Sequence, residues 1–265
     1  MGSSAVSLPA CLQPALVVGT SVGVFCDFDG TLSSIIPDPT AVVPVTGAAA
    51  VLGDLADVVD RIVVVSGRPV AFLVGVLPAD VDLVGLYGLE RRVGGASSVH
   101  PEAEAWQSVI DGVVDRAAAV LSADVRVEHK GRSLTLHTRE HPEHAHAVAA
   151  FTAAEATATG LVARPAKASI ELHPPIEVDK GTVVAEVVHA DGLAFAVFIG
   201  DDVGDLTAFD ALDALAAEGI AVARVAVLSA ASPPELVTRA DLVVDGPEGA
   251  VDLLRELTDA RRRVS

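Results

Sequence analysis

The hydrophobic pattern of this chain changes period twice. Short and nearly uninterrupted apolar runs occupy residues 22–25, 62–65, 81–84, 196–199, 224–228 and 242–244. Runs of this length without polar alternation predict strands buried on both faces of a parallel sheet. Ala-rich stretches between them, such as 46–60 and 182–189, read as amphipathic and predict covering helices. The expected fold class is α/β, with a doubly wound, Rossmann-like core.

The middle of the chain keeps another rhythm. Residues 102–121 and 143–159 predict helices. Between them, 125–130 and 133–139 alternate strictly and are joined at Gly131, as in a hairpin. Val125, Val127, Leu134 and Leu136 fall on one face, and Arg126, Glu128, Lys130, Ser133, Thr135, His137 and Arg139 on the other. A third alternating stretch, 166–173, sets Ala166, Ala168, Ile170 and Leu172 against Lys167, Ser169, Glu171 and His173. The expected organisation is a core made of residues 1–95 and 174–265, interrupted at 96–173 by an inserted α+β unit. Its polar face is either solvated or turned toward a ligand, and alternation alone leaves both open.

Composition narrows the choice of partner. Half of the residues are hydrophobic (51%) but only 3% are aromatic, which favours tightly packed layers over an aromatic-lined groove. A formal charge of -18 repels nucleic acid and anionic membranes, so neither is expected as a partner. It suits a protein that binds a divalent cation. No apolar run is long enough to span a bilayer. Cys11 and Cys26 make no disulfide framework, and Cys26 reads as a reduced packing residue. The first sixteen residues contain no Lys or Arg, and Val6 stands where a myristoylation signal needs Ser or Thr. A cytoplasmic monomer acting on a small molecule is the expectation.

Candidate chemistry collects at the ends of the apolar runs. Asp27-Phe28-Asp29-Gly30-Thr31-Leu32 follows the first strand, and the turn at Gly30 allows both carboxylates to address one site. Ser66-Gly67-Arg68 follows the second strand, where a hydroxyl and a glycine amide can cradle a phosphate. Lys180 opens a helix, against the helix dipole, which is tolerable when an anion sits there. Asp201, Asp202 and Asp205 crowd the end of another strand, and such clusters persist when a hard cation neutralises them.

Each piece is modest alone. In this order, DxDGTL, Ser-Gly, Lys-Gly and GDDxxD resemble the four motifs of the haloacid dehalogenase superfamily. Finer features resemble the trehalose-6-phosphate phosphatases within it: DFDGTLSSIIPDP at 27–39, GLYGLE at 85–90, VEHKGRSLTLHTR at 127–139, KASIELHP at 167–174 and GDDVGDLTAF at 200–209. The resemblance implies that Asp27 is a nucleophile forming an aspartyl-phosphate and that Asp29 is the general acid and base. It also implies that Ser66 and Lys180 hold the phosphoryl oxygens. Mg²⁺ would be held by Asp27, Asp201 and the Asp29 carbonyl, with Asp202 and Asp205 in support. The inserted unit is then a cap closing over the core. From it, Glu128, Lys130, Arg139 and Glu171 would bind sugar hydroxyls, and Arg68 would orient phosphate or sugar. The cap is expected to move about segments near 92–96 and 173–179. One departure stands out: His173 occupies a position where the family usually shows arginine. Another sugar phosphate as substrate, a phosphomutase and a catalytically silent sugar-phosphate binder are the competing readings.

Overall fold

The computed structural model describes residues 8–36, 38–166, 168–230 and 232–264, so Lys167 of the third alternating stretch lies outside it. The chain divides into two compact units, Met1–Ser97 with Val178–Ser265, and Ser98–Glu177.

The first unit is built on a parallel sheet. Its strands β1 (Val22–Cys26), β2 (Arg61–Val65), β3 (Asp82–Gly85), β10 (Phe195–Gly200), β11 (Ala221–Leu228) and β12 (Leu242–Asp245) contain, or overlap closely, the six apolar runs. The order is β12-β11-β10-β1-β2-β3, extended by β4 (Glu90–Val93) and β5 (Ala96–Val99). The pairing of β4 on β3 is antiparallel. These last two strands were not expected, because Glu90, Arg91, Arg92 and the Gly94-Gly95 turn leave no apolar alternation to read.

All five residues of β1 are buried, and its side chains divide between two cores. Val22, Val24 and Cys26 join Leu52 and Leu55 of α1 (Ala48–Ala56) and Leu254 and Leu257 of α8 (Gly246–Val264). Phe25 joins Val183, Val184 and Val188 of α5 (Lys180–Asp191) and Phe209 and Leu212 of α6 (Leu206–Ala217). The alternation that is invisible in a doubly buried strand therefore exists as a choice between two helical layers. Cys26 is buried and unpaired, and burial pushes its thiol pKa up. From β1 the chain proceeds to β2 on one side and later returns to β10 on the other. That reversal places a crevice at the carboxyl ends of β1 and β10, where doubly wound sheets bind ligands.

The second unit has an antiparallel sheet in the order β6 (Arg126–His129), β7 (Leu134–His137), β9 (Ser169–His173), β8 (Val162–Ala166). Helices α3 (Gln107–Val120) and α4 (Ala145–Thr159) cover its apolar face. Ile110, Val113, Ala117 and Val148 pack there against Leu134, Leu136 and Leu172. Arg116 ties the two helices together by forking onto Glu155 at 2.8 and 2.7 Å.

One expectation needs correcting. Residues 166–173 are not one alternating strand, because the chain reverses inside them. β8 ends at Ala166, Ala168 adopts a left-handed φ of 57°, and Ser169 pairs back with Ala166. Small alanines mimic alternation without the bulk that would hold an extended strand, so the true pattern starts at Ile170. β8 itself contains Pro165, which lacks an amide proton and is tolerated because β8 is an edge strand. Among the described residues no helix is long and apolar enough to cross a membrane.

The double-layer core makes a specific demand on Phe198. It is fully buried on β10 and meets Phe209 edge to face at 6.5 Å. Phe198→Ala is expected to cost about 3–5 kcal/mol, read as a lower midpoint in urea unfolding; a loss below about 1 kcal/mol would contradict the packing described.

Candidate active site

Three adjacent strand ends and one helix start build the site. Asp27 directly follows β1, Ser66 follows β2 and Asp201 follows β10. Because Cys26 is in register with Ile199, Asp27 emerges beside Gly200 and Asp201. The chain turns at once: Gly30 has a φ of 86°, and a Cβ there would overlap the Asp201 carboxylate. Only glycine satisfies both the dihedral and the space. Thr31 Oγ1 then donates to Asp201 Oδ1 at 3.1 Å.

Lys180, the first residue of α5, lies at the centre of the cluster. Its Nζ is 2.6 Å from Asp205 Oδ1 and 3.0 Å from Asp27 Oδ1, with all three side chains almost completely buried. The helix start is fixed independently by a capping box between Asp179 and Thr182. Asp205 folds back over its own loop and accepts the Asp201 and Asp202 amides at 2.8 and 3.0 Å. Asp202 points elsewhere: it is exposed, and its carboxylate accepts the Gly204 amide at 2.8 Å.

Asp27, Asp201 and Asp205 offer oxygens that all lie within 4.8 Å of one another. Three carboxylates against one ammonium leave a formal charge of -2 in a buried space, and the titration of the group reflects this. Burial, opposed in part by Lys180 and reinforced by the other aspartates, holds Asp27 well above the usual carboxylate range. Asp201 is pushed up to about 7, by burial first and then by Asp205 and Asp202. Asp205 is also raised by burial, with Lys180 opposing. Lys180 loses by burial but gains more from Asp205 and Asp27, and its pKa rises. A hard divalent cation supplies the missing two positive charges and takes oxygen donors of this kind, so the residues present fit one.

Asp29 sits in a different environment. Its carboxylate is gripped by Arg68, with Nε to Oδ2 and Nη2 to Oδ1 both at 2.7 Å. Arg68 also donates to the Pro39 carbonyl at 2.6 Å and lies over the Phe72 ring. Ser66 is buried, and its Oγ accepts the Arg68 amide at 3.1 Å. The loop carrying Ser66 and Arg68 is braced by two non-glycine residues in left-handed conformation, Leu86 and Tyr87, whose amides donate to Arg68 O and Ser66 O.

In the second unit, Glu128, Lys130 and Glu171 share the polar side of the antiparallel sheet. Glu171 Oε1 accepts Ser133 Oγ at 2.6 Å and Lys130 Nζ at 3.4 Å, and Glu128 Oε2 pairs with His137 Nε2 at 2.8 Å. Arg139 lies past the end of β7 and is exposed. Thr31 and Ser133 were not singled out from sequence. Thr31 lay inside the first motif, and Ser133 was one hydroxyl among seven polar residues on its face, with nothing to distinguish it.

Residues 25–237 match the trehalose-phosphatase family. A trehalose-phosphate phosphatase of Mycolicibacterium paratuberculosis is 31% identical over 93% of this chain and 64% of its own length. One of Mycobacterium ulcerans is 35% identical over 71% of this chain and 51% of its own length. The chain thus spans between half and two-thirds of these relatives. In structure it resembles the C-terminal domain of a C. albicans trehalose-6-phosphate phosphatase, with a TM-score of 0.74 and 23% identity. That likeness covers 96% of this chain and 99% of the other, and it supports the fold.

The raised carboxyl pKa values fix the sign of a pH effect. The folded cluster keeps protons that an ordinary Asp, near 3.8, gives up, so stability from Asp201 is lost as pH rises toward about 7. A bound cation replaces those protons. The gain in Tm on adding MgCl2 is therefore expected to grow from about pH 5 to about pH 8, measured by differential scanning fluorimetry. A gain independent of pH would mean that these carboxylates do not hold the ion.

Proposed function

The chain belongs to the trehalose-phosphatase family, and on that premise we propose that it hydrolyses trehalose 6-phosphate to trehalose and phosphate, using Mg²⁺. The observation that carries this reading is Asp27: a buried carboxylate at the end of the central strand, 3.0 Å from the Lys180 ammonium and beside Asp201 and Asp205.

A carboxylate oxygen of Asp27 attacks phosphorus, and the bond from phosphorus to the sugar oxygen breaks, leaving an aspartyl-phosphate. Asp29, protonated on an oxygen released from Arg68, gives that proton to the departing sugar oxygen. In the second half it takes a proton from water, whose oxygen attacks phosphorus and frees Asp27. Arg68 fixes the orientation of the Asp29 carboxylate through its two-pronged contact. Lys180 and Ser66 hold phosphoryl oxygens, so the charge that spreads over them meets groups already in place. Mg²⁺, held by Asp27, Asp201, Asp205 and the Asp29 carbonyl with Asp202 nearby, would supply charge neutralisation for the phosphoryl oxygens and keep Asp27 ionised.

Recognition of the sugar falls to the second unit in this reading, with Glu128, Lys130, Arg139 and Glu171 on its hydroxyls. Ionised groups make stronger hydrogen bonds than neutral ones, which suits the capture of a polyol from water. His173, in place of the family's usual arginine, favours one alternative: the same chemistry on a different sugar phosphate.

Phosphate release with Mg²⁺ from trehalose 6-phosphate, sucrose 6-phosphate and glucose 6-phosphate tests the proposal. Trehalose 6-phosphate is expected to be the preferred substrate, and Asp27→Asn to lower kcat by roughly a thousandfold or more. Preference for another sugar phosphate would overturn the substrate and leave the mechanism. Undiminished turnover in Asp27→Asn would overturn the mechanism.

A further inference from the structure

Two buried side-chain polar atoms among the described residues have no hydrogen-bond partner, Thr135 Oγ1 and His173 Nε2. Native structures leave few such atoms, and each calls for a physical reason. These two share a surface. Thr135 on β7 stands opposite Glu171 on β9, and His173 lies two residues beyond Glu171 on the same polar side of the sheet. Their relative exposures are 5% and 7%.

The chemistry of the histidine is set by its other nitrogen. Nδ1 lies 2.8 Å from the Pro174 carbonyl oxygen, which can only accept, so Nδ1 carries a proton. Burial, and after it the nearby Arg164 guanidinium, lowers the pKa of the ring to about 4 against the pull of the Pro174 carbonyl and Glu171. The ring is neutral at pH 7, and Nε2 is an acceptor in need of a donor. The Thr135 hydroxyl can give a hydrogen bond or take one. Between them, Glu171 is already engaged by Ser133 and Lys130.

Resting on the sugar-phosphatase reading above, we infer that His173 Nε2 and Thr135 Oγ1 bind hydroxyl groups of the leaving sugar and select a ring whose substituents are uncharged. A hydroxyl donates to Nε2 and can accept from Thr135 in turn. A carboxylate has no proton to give Nε2, so that buried acceptor stays unpaired whatever the carboxylate gains from Lys130 and Arg164. A site built to hydrogen-bond a hydroxyl rejects analogues that lack it, because its own buried atoms are then left unpaired. His173 is thus a binding residue specifying the sugar, alongside the charged residues of the same face.

The test is kcat/KM with Mg²⁺ for trehalose 6-phosphate, mannosyl-phosphoglycerate, whose leaving portion carries a carboxylate, and p-nitrophenyl phosphate, which has no sugar. Wild type, Thr135→Val, His173→Phe and His173→Gln are compared, each with its Tm. Wild type is expected to prefer the uncharged sugar to the carboxylated one. The ratio of sugar to aryl kcat/KM should fall by roughly tenfold or more in Thr135→Val and His173→Phe. His173→Gln, which restores an acceptor, should recover part of that ratio, and the Tm of Thr135→Val should not fall. An unchanged ratio, with both substrates declining alongside Tm, would mean that the pair is structural and would overturn the inference. So would a preference for the carboxylated compound. If another uncharged sugar phosphate replaces trehalose 6-phosphate as substrate, the substrate proposal fails, and the same ratio measured on that compound still decides this one. Turnover of the aryl phosphate alone would end both.

Discussion

One buried ammonium shared between two buried carboxylates organises the first unit. Lys180 reaches Asp27 and Asp205 at 3.0 and 2.6 Å, and removing it would leave both carboxylates buried without their shared counter-charge. The position of Lys180 at the start of α5 costs energy against the helix dipole, and the carboxylates offset that cost. The loop after β10 is shaped to reach it: a Cβ on Gly200 would overlap the Asp205 side chain, so Asp205 can fold back onto the Asp201 and Asp202 amides only because position 200 is glycine. Register does the rest, since pairing Cys26 with Ile199 brings the end of β1 and the end of β10 to one point.

The same site separates two aspartates that are two residues apart in sequence. Asp27 is buried among like charges and belongs to the cluster. Asp29, whose side chain is 35% exposed, belongs to Arg68. Ending the strand at Cys26 and turning the chain at Gly30 produces this division, because an uninterrupted strand would have sent the two carboxylates to the same face. Placing a pair of titratable groups in contrasting surroundings is how one site supplies both a nucleophile and a proton carrier. The proposal that Asp27 and Asp29 take those parts rests on the motif and on a cation that would keep Asp27 ionised, since burial alone holds the proton on Asp27.

Much of this was legible in the chain. Doubly buried strands advertise themselves as apolar runs, and motifs at their ends inherit a position from the topology. That is why Asp27, Ser66 and Asp201 could be placed at strand ends of one sheet, whereas Lys180, at a helix start, joined them only through the family resemblance. What failed to show depends on interactions that periodicity does not carry. β4 and β5 are polar edge strands. The reversal after Ala166 hides in a run of small residues. Asp202 and Asp205 in GDDVGD look equivalent, and only the fold-back of Asp205 and the outward cap made by Asp202 separate them. His173 read as a departure from a pattern, whereas its tautomer required the Pro174 carbonyl to be placed beside it.

Trapping the covalent intermediate is the most direct measurement of the central claim. The protein, mixed with Mg²⁺ and trehalose 6-phosphate, is quenched in acid and reduced with borohydride, which converts an aspartyl-phosphate to homoserine. Peptide mass spectrometry then locates the altered residue. The account predicts homoserine at position 27. Homoserine at Asp29, Asp201 or Asp205, or turnover without any reducible acyl-phosphate, would contradict it.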